Sequence, residues 1–582
     1  MKNKIIVYSL ITFSSLSIIY ACKKSFLDVP PQGVYSEQQL NNRRGINGML
    51  IATYAALHGL EATQDTGPTN WTWGSITGGD AYKGTEPTDR VEQNPIMRYE
   101  QLPANTIVLS KWNASYDGIG RANQVLRSLP NVTELTDAER KQIEAEARFL
   151  RGHFHFEAKK VFGNVPFVNE THVPGIADFK IPNMDASGNY INIWPQIEAD
   201  FKFAYDNLDE TKPNRGRANK WAAAAFLAKV YMFQNKFAEA KALFDQIIAN
   251  GKTAQGTKYD LTPNYHSNFR TTEENNQETV FAVQYSFGDG SNTNGNYDNS
   301  LNYPHSSTTP GAGCCGFFQP SQNLVNSFKT DAAGLPMLDT YNETDVTSDE
   351  SVTSAEPFTP YQGTLDPRLD WTVGRRGIPY LDWGIHPGRA WIRQVSYGGP
   401  YSPKKNVFYK ADLGTKAASV GWGWNNNSLN YTIIRFADVL LMAAEAEIEV
   451  GSLAKATEYV NRVRARAAAS PVKLDNGANA ANYLVNPYPP FTSKEVARKA
   501  VRFERKLELA MEGHRFFDLN RWGITAEYIN NEYLAKERVR RASALGGATF
   551  QKNQDEYQPI PDFARTQSIK GGQPTLKQNP GY

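Results

Sequence analysis

VRFERKLELAMEGHRFFDLNRWG, residues Val501–Gly523, carries two interleaved patterns. Phe503, Leu507, Ala510, Met511, His514 and Phe517 recur at steps of three and four, the spacing that sets side chains on one face of a helix, so that face is expected to be buried. Glu504, Glu508 and Glu512 stand in a second column at four-residue steps. Arg502, Arg505, Lys506 and Arg515 are interleaved so that opposite charges meet across single turns, the pattern of a solvated or domain-bridging surface. His514 and Asp518 lie one turn apart, but a lone His/Asp pair is a weak metal signal. The stretch reads as a packed helix whose polar groups tie loops together.

Residues Glu504–Gly523 closely resemble the C-terminal signature of the SusD/RagB family, surface lipoproteins that capture nutrients for TonB-dependent outer-membrane transporters. In that family the string belongs to the fold and not to catalysis. A second likeness lies in Glu146-Ala147-Arg148-Phe149-Leu150-Arg151, followed by an aromatic-rich turn and Phe162-Gly163-Asn164-Val165-Pro166. Asp366-Pro367-Arg368-Leu369 resembles a further family motif, again structural.

The start of the chain matches independently. Lys2 and Lys4 precede an apolar run, Ile5–Tyr20, that ends at Ala21-Cys22. A basic start, an apolar run of this length and a small residue before the cut describe an export signal over residues 1–21 rather than a spanning helix. A Cys at the cut is what a lipoprotein peptidase needs, so Cys22 is the expected lipidation site. Its acyl chains would hold the protein on the membrane at about 0.8 kcal/mol per buried methylene. Residues 22–36 then form a tether, and Lys23-Lys24-Ser25-Phe26-Leu27-Asp28 with Pro30-Pro31 is similar to the family's mature ends.

Among 582 residues, 62 Lys plus Arg face 60 Asp plus Glu, so no net field favours a nucleic-acid partner. Aromatic residues make up 12% of the chain, and many stand in loops rich in Gly, Asn and Ser, a setting that suits sugar faces. Of three cysteines, Cys22 is assigned, and adjacent Cys314 and Cys315 are either a vicinal disulfide or two buried thiols. No cysteine spacing fits a metal site, nothing indicates a cofactor, and a structural calcium is left open.

Helical periodicity is expected over Leu40–Leu60, Ile107–Leu129 and Ala138–Phe162. His153 and His155, two residues apart on the last of these, diverge by about 200° and are expected to pack or cap rather than share an ion. Between the first two helices, Gln64–Lys83 is broken by Gly-Pro and Gly-Gly and is expected to expose Trp71 and Trp73 near Asp80 and Tyr82. Trp71, Trp73 and Asp80 are the first site candidates, because the resemblance places a ligand-proximal loop there.

Ala222–Ala249 shows the small/large alternation of a tetratricopeptide helix pair, with Ala228, Tyr231, Ala240 and Phe244 around a polar turn. Asp438–Ala469 repeats it loosely, with Ala444, Ala456 and a turn at Gly451, but with Glu447 and Val460 at the two large positions. The expected fold is mainly α: tetratricopeptide-like hairpins forming a solenoid-like base against a less regular, loop-rich layer with a few short strands. Its regions are 37–250, a loop-rich ligand-side segment 251–430, and 431–582. Within the middle region Glu278–Tyr285 reads as a strand, and the long loop Gly288–Pro320 adds Tyr297, Tyr303, Cys314, Cys315, Phe317 and Phe318 to the ligand-site candidates. Trp391, Trp422 and Trp424 form a further aromatic set.

No nucleophile elbow, His-Glu-x-x-His or phosphate-cradling loop is present, so no catalytic residue is assigned. The resemblance implies a non-enzymatic glycan-binding lipoprotein at the cell surface, a hinged lid on a SusC-like TonB-dependent barrel. A RagB-like peptide lid and a secreted glycan-active enzyme are the alternatives, the latter needing two carboxylates about 5 to 10 Å apart in one cleft.

Overall fold

The computed structural model describes residues 37–582 apart from 61–62, 174–179, 292–293, 307, 311–313 and 419–426. The export signal, Cys22, Trp422 and Trp424 lie outside the described residues. The fold is mainly helical. Its helical layer comprises α1 (Arg43–Ala55), α2 (Thr106–Ser128), α3 (Asp137–Phe162), α4 (Trp194–Asn207), α5 (Lys220–Phe233) and α6 (Phe237–Asn250). It continues through α7 (Phe436–Val450), α8 (Leu453–Ala468) and α9 (Lys494–Glu508). Each helix from α1 to α8 packs on the next, and α9 packs on both α7 and α8. Contacts between neighbours in chain order are what a stack of hairpins produces. The starts are fixed locally: Asn105, Asn219, Ser452 and Ser493 accept backbone N–H groups at the caps of α2, α5, α8 and α9. Thr136 and Glu139 close a capping box on α3.

Between α6 and α7 the chain builds the irregular layer. Strands β1 (Ala81–Gly84) and β3 (Phe317–Pro320) pair antiparallel, with Tyr82 opposite Gln319. β2 (Thr279–Val283) pairs with a strand at Tyr431–Arg435, placing Thr279 opposite Arg435. That second ladder joins the layers, because its last residue leads directly into α7.

The signature does not form one helix. α9 stops at Glu508; Met511 and Gly513 take positive φ values of 63° and 72°, and α10 (Arg515–Arg521) follows. Gly513 is required twice over. A Cβ there would lie 2.2 Å from the Thr69 carbonyl oxygen, and one on Gly74 would lie 1.9 Å from the Gly513 carbonyl oxygen. Two glycines thus let the bend after α9 press backbone to backbone against the Trp71–Ile76 turn.

The expected solvated column is buried instead, which corrects the reading of Glu504, Glu508 and Glu512. Glu508 accepts from Arg368 at 2.9 Å, Arg435 at 2.5 Å and Arg466; Glu504 pairs with Arg368 and Arg464, and Glu512 with Arg435 and Lys405. Glu278 binds Arg435 and Arg466, and Asp366 binds Arg368. The partners come from the Tyr431–Arg435 strand, the short helix Arg368–Thr372, the loop at Lys405 and α8, not from neighbouring turns of α9. The network therefore holds five carboxylates (Glu278, Asp366, Glu504, Glu508, Glu512) and five cations (Arg368, Lys405, Arg435, Arg464, Arg466). Balanced charge with dense hydrogen bonding is the condition under which burial of ions is tolerable. Beside it Asp438, Glu445 and Asp518 meet Lys229, Arg505 and Arg521, three against three.

These environments set a pH profile. Burial alone would raise Asp518, but Arg505 and Arg521 outweigh it and bring the carboxyl down to about 2. Glu508 is likewise held far below its ordinary value by Arg466, Arg435 and Arg368 against the effect of burial. Depressed carboxylates contribute stability that is present above their unfolded value, about 4, and is lost as pH falls through the folded one. Between about pH 6.5 and 4 two sets oppose each other. Burial lowers His153 to about 4, His155, His386 and His514 to about 3, and His266 well below its ordinary value, so the unfolded chain protonates first and stability falls. Burial raises Asp80, Asp298 and Asp555 to about 6 and Glu274 to about 7, so the folded chain protonates first and stability rises. The expected melting temperature is therefore nearly level down to about pH 4 and falls steeply below it. A steep loss beginning near pH 6 in a thermal-melt series would contradict this.

Candidate functional site

The sequence-predicted rings come together, but inward. Trp71 and Trp73 sit in the Trp71–Ile76 turn, 1% and 2% exposed. Their indole N–H groups donate to the Gln64 and Asp65 carbonyls, each at 2.6 Å. The Gly- and Pro-punctuated loop folds back and satisfies its own tryptophans, so its breaks close it rather than project it. Phe317 and Phe318, also buried, meet Trp71 edge-on at 6.3 and 5.7 Å. Cys314 and Cys315 are joined as a vicinal disulfide in the same core.

Asp80 is buried, accepting from the Met511 backbone N–H at 3.1 Å and pushed up to about 6 by desolvation. The Tyr82 hydroxyl donates to Glu537 and accepts from the Gln322 N–H. Tyr303 is buried, with its hydroxyl accepting from Asn427 at 2.8 Å, and Trp391 is buried as well. Nine of the ten ligand-site candidates are therefore core residues, and the expectation that Trp71 and Trp73 are exposed is corrected. Tyr297 alone is half-buried.

A polar rim stands on these loops. Tyr297 lies beside Arg90 and hydrogen-bonds the Gln64 side chain. Arg90 donates to Gln64 Oε1 at 2.5 Å and pairs with Asp65, whose Oδ1 also accepts from Thr72 and Gln93. Arg393 bridges Asp89 at 2.6 Å and Glu86 at 2.7 Å. Gly316 lies beside the Arg393 cluster: a Cβ there would be 3.2 Å from the His305 Cβ and 3.8 Å from the Arg393 Cβ, and its carbonyl accepts the Thr85 N–H. Arg90, Glu86, Asp89, Tyr297 and His305 are partly exposed and Arg393 is exposed. Sequence reasoning missed Gln64, Asp65, Arg90 and Arg393. Asp65 and Arg90 are 25 positions apart with no periodic relation, and only the fold pairs them.

Such a rim supplies fixed donors and acceptors around one tyrosine ring, the components that hold a hydroxyl-rich ligand without reacting with it. His153 and His155 serve packing: His155 stacks on Phe167 at 4.3 Å and accepts the Val168 N–H, and His153 meets Phe226 edge-on. His514 and Asp518 go separate ways, His514 to Lys229 and Asp518 to Arg505 and Arg521. Among the described residues no group of three or more His, Cys, Asp or Glu is placed to hold a metal ion, and no helix is long and apolar enough to cross a membrane. The larger concavities are elsewhere, two adjoining grooves of about 450 and 610 Å³ that share Arg498, Arg502 and Trp522.

The model of the SusD family matches residues 277–582, and one described as starch-binding associating with outer membrane matches residues 25–232. A SusD-like protein of Formosa agariphila is 23% identical over 568 residues, covering 91% of each chain. A laminarin-binding SusD-like protein superposes with a TM-score of 0.66 at 24% identity, over 93% of this chain and 100% of its own. Surface glycan-binding protein A of Bacteroides thetaiotaomicron, solved in complex with laminarihexaose, superposes with a TM-score of 0.61 at 20% identity, over 92% and 99%. At these identities the superpositions speak for a shared fold.

Proposed function

The chain belongs to the SusD family, and from that premise we propose that it is a non-enzymatic glycan-binding lipoprotein of the outer membrane, anchored through Cys22 and seated as a lid on a SusC-like TonB-dependent barrel. The reading rests first on the rim. Arg90, Asp65 and Gln64 are locked to one another by hydrogen bonds and backed by the buried Trp71, Phe317 and Phe318. A ligand meeting a rim already ordered loses little further entropy on binding. The solved relatives named for laminarin and laminarihexaose support a glycan as that ligand. A capture protein that must hand its cargo on needs only micromolar to millimolar affinity, about −8 to −4 kcal/mol, which a few hydrogen bonds and one ring face supply.

Affinity electrophoresis over a panel of polysaccharides tests the rim. Tyr297→Ala and Arg90→Ala are each expected to weaken retention about tenfold or more; melting should change little in Tyr297→Ala, where the ring is half-buried, and fall in Arg90→Ala, which leaves the buried Asp65 carboxylate without its cation. Unchanged retention in both variants would remove the rim from the reading, and ligand recovered shortened would remove the non-enzymatic part. Metabolic labelling with palmitate tests the anchor, with Cys22→Ala expected to lose the label.

A further inference from the structure

The 610 Å³ groove runs between α9, the start of α10, the helical segment Thr525–Leu534 and the turn around Tyr341. Its walls carry four rings, Tyr341, Phe503, Trp522 and Tyr528, and besides Asp339 the carboxylates Glu495, Glu527 and Glu532 also line it. Its cations divide into two kinds. At the outer end Arg498 pairs with Glu449 at 2.6 Å and Lys499 with Asp339. At the inner end Arg502, Lys506 and Arg515 have no carboxylate at ion-pairing distance among the described residues. Arg502 lies over the Trp522 ring at 4.9 Å, Arg515 over the Tyr528 ring at 4.4 Å, and Lys506 over the Tyr341 ring at 4.4 Å. Lys506 donates to Asn323 Oδ1 at 2.8 Å, and Arg515 Nε is buried with no acceptor. Elsewhere the buried arginines, Arg368 and Arg435 among them, pair with carboxylates, and the buried lysines that do not, Lys83, Lys111, Lys329 and Lys404, give their ammonium groups to backbone carbonyls instead. Three inner cations held against rings, one with an orphaned donor, are the exception.

We propose that the inner end of this groove is a binding site for a carboxylate-bearing saccharide, an uronic-acid unit. Two guanidinium groups and an ammonium offer fork and point donors to a carboxylate, and the four rings offer faces to the sugar's C–H surface. The volume lies within the range of small-ligand sites. An acidic peptide fits less well, because recognition by strand addition needs a free edge and no lining residue lies on a strand. The site shares no residue with the Tyr297 rim, so its failure and the failure of that rim are separable.

Calorimetric titration of the full chain with a galacturonic acid trisaccharide and with its neutral galactose counterpart tests this. The acidic ligand is expected to bind at least tenfold more tightly, and to weaken as NaCl rises from about 50 to 300 mM. R502Q/R515Q is expected to weaken it tenfold or more, whereas K455Q, a change on the exposed face of α8 outside both sites, leaves it unchanged. Equal binding of the neutral sugar, no binding of the acidic one, wild-type affinity in R502Q/R515Q, or loss in K455Q would each overturn the proposal. So would a hexaglutamate peptide that binds more tightly and is lost in R502Q/R515Q, which would hand the groove to a protein partner. The acidic-versus-neutral comparison uses wild-type protein, so the test survives a variant that fails to fold.

Discussion

Glu508→Ala is expected to cost about 3 to 5 kcal/mol and to leave the chain unfolded or aggregated at ordinary growth temperature. Glu508 is fully buried and accepts from three guanidinium groups. Removing it leaves Arg368 with Asp366 and Glu504, Arg435 with Glu278 and Glu512, and Arg466 with Glu278 alone. The network then holds four carboxylates against five cations in a fully buried site. The cost is that of uncompensated buried charge and not the worth of any one pair, so Glu508→Gln, which keeps the shape, is expected to recover only part of it. Glu458→Ala is the control. Glu458 pairs with Lys455 at 2.9 Å, but both side chains are about half exposed, and its loss should stay within about 0.5 kcal/mol. Denaturant unfolding of the three variants reads all of this. A Glu508→Ala protein as stable as Glu458→Ala would mean that the acids of α9 face solvent after all.

The same residues show what the sequence made legible. Periodicity placed Leu507, Ala510, Met511 and Phe517 inside, and they are inside, while Phe503 and His514 of the same face are half-buried; the helices expected over Ile107–Leu129 and Ala138–Phe162 form within a residue of those bounds, and the strand expected over Glu278–Tyr285 forms at Thr279–Val283. The charged column of α9 was misread because i to i+4 spacing records only which residues share a face. It carries no record of the arginines that arrive from positions 368, 435, 464 and 466 to cover that face. Asp366-Pro367-Arg368-Leu369, read as a structural motif, proves to be one of those arrivals, since Arg368 reaches both Glu504 and Glu508. The rim was illegible for the same reason. Loop composition announces a turn-rich segment, but whether its rings face in or out depends on which carbonyls the loop closes upon, and Gln64 and Asp65 face Trp71 and Trp73 only once the loop is folded.

That dependence gives the second large expectation: Trp71→Ala with Trp73→Ala should destabilise the protein and abolish glycan retention together. Truncating a buried tryptophan costs about 3 to 5 kcal/mol through lost transfer energy and the cavity left behind. The two neighbours share one turn, so the double variant need not equal the sum of the singles. Two carbonyls, those of Gln64 and Asp65, would also lose their indole donors. Those residues carry the rim, because Gln64 and Asp65 hold Arg90, so the loop that presents the site loosens with its anchor. Trp71→Phe separates the two contributions in part: it keeps a ring against Phe317 and Phe318 and loses the hydrogen bond, about 1 to 3 kcal/mol, together with a smaller share of the packed volume than Trp71→Ala removes. Melting curves beside affinity electrophoresis decide the matter. A double-alanine protein that melts with the wild type yet no longer retains glycan would show that these indoles meet the ligand directly and are not its buried support.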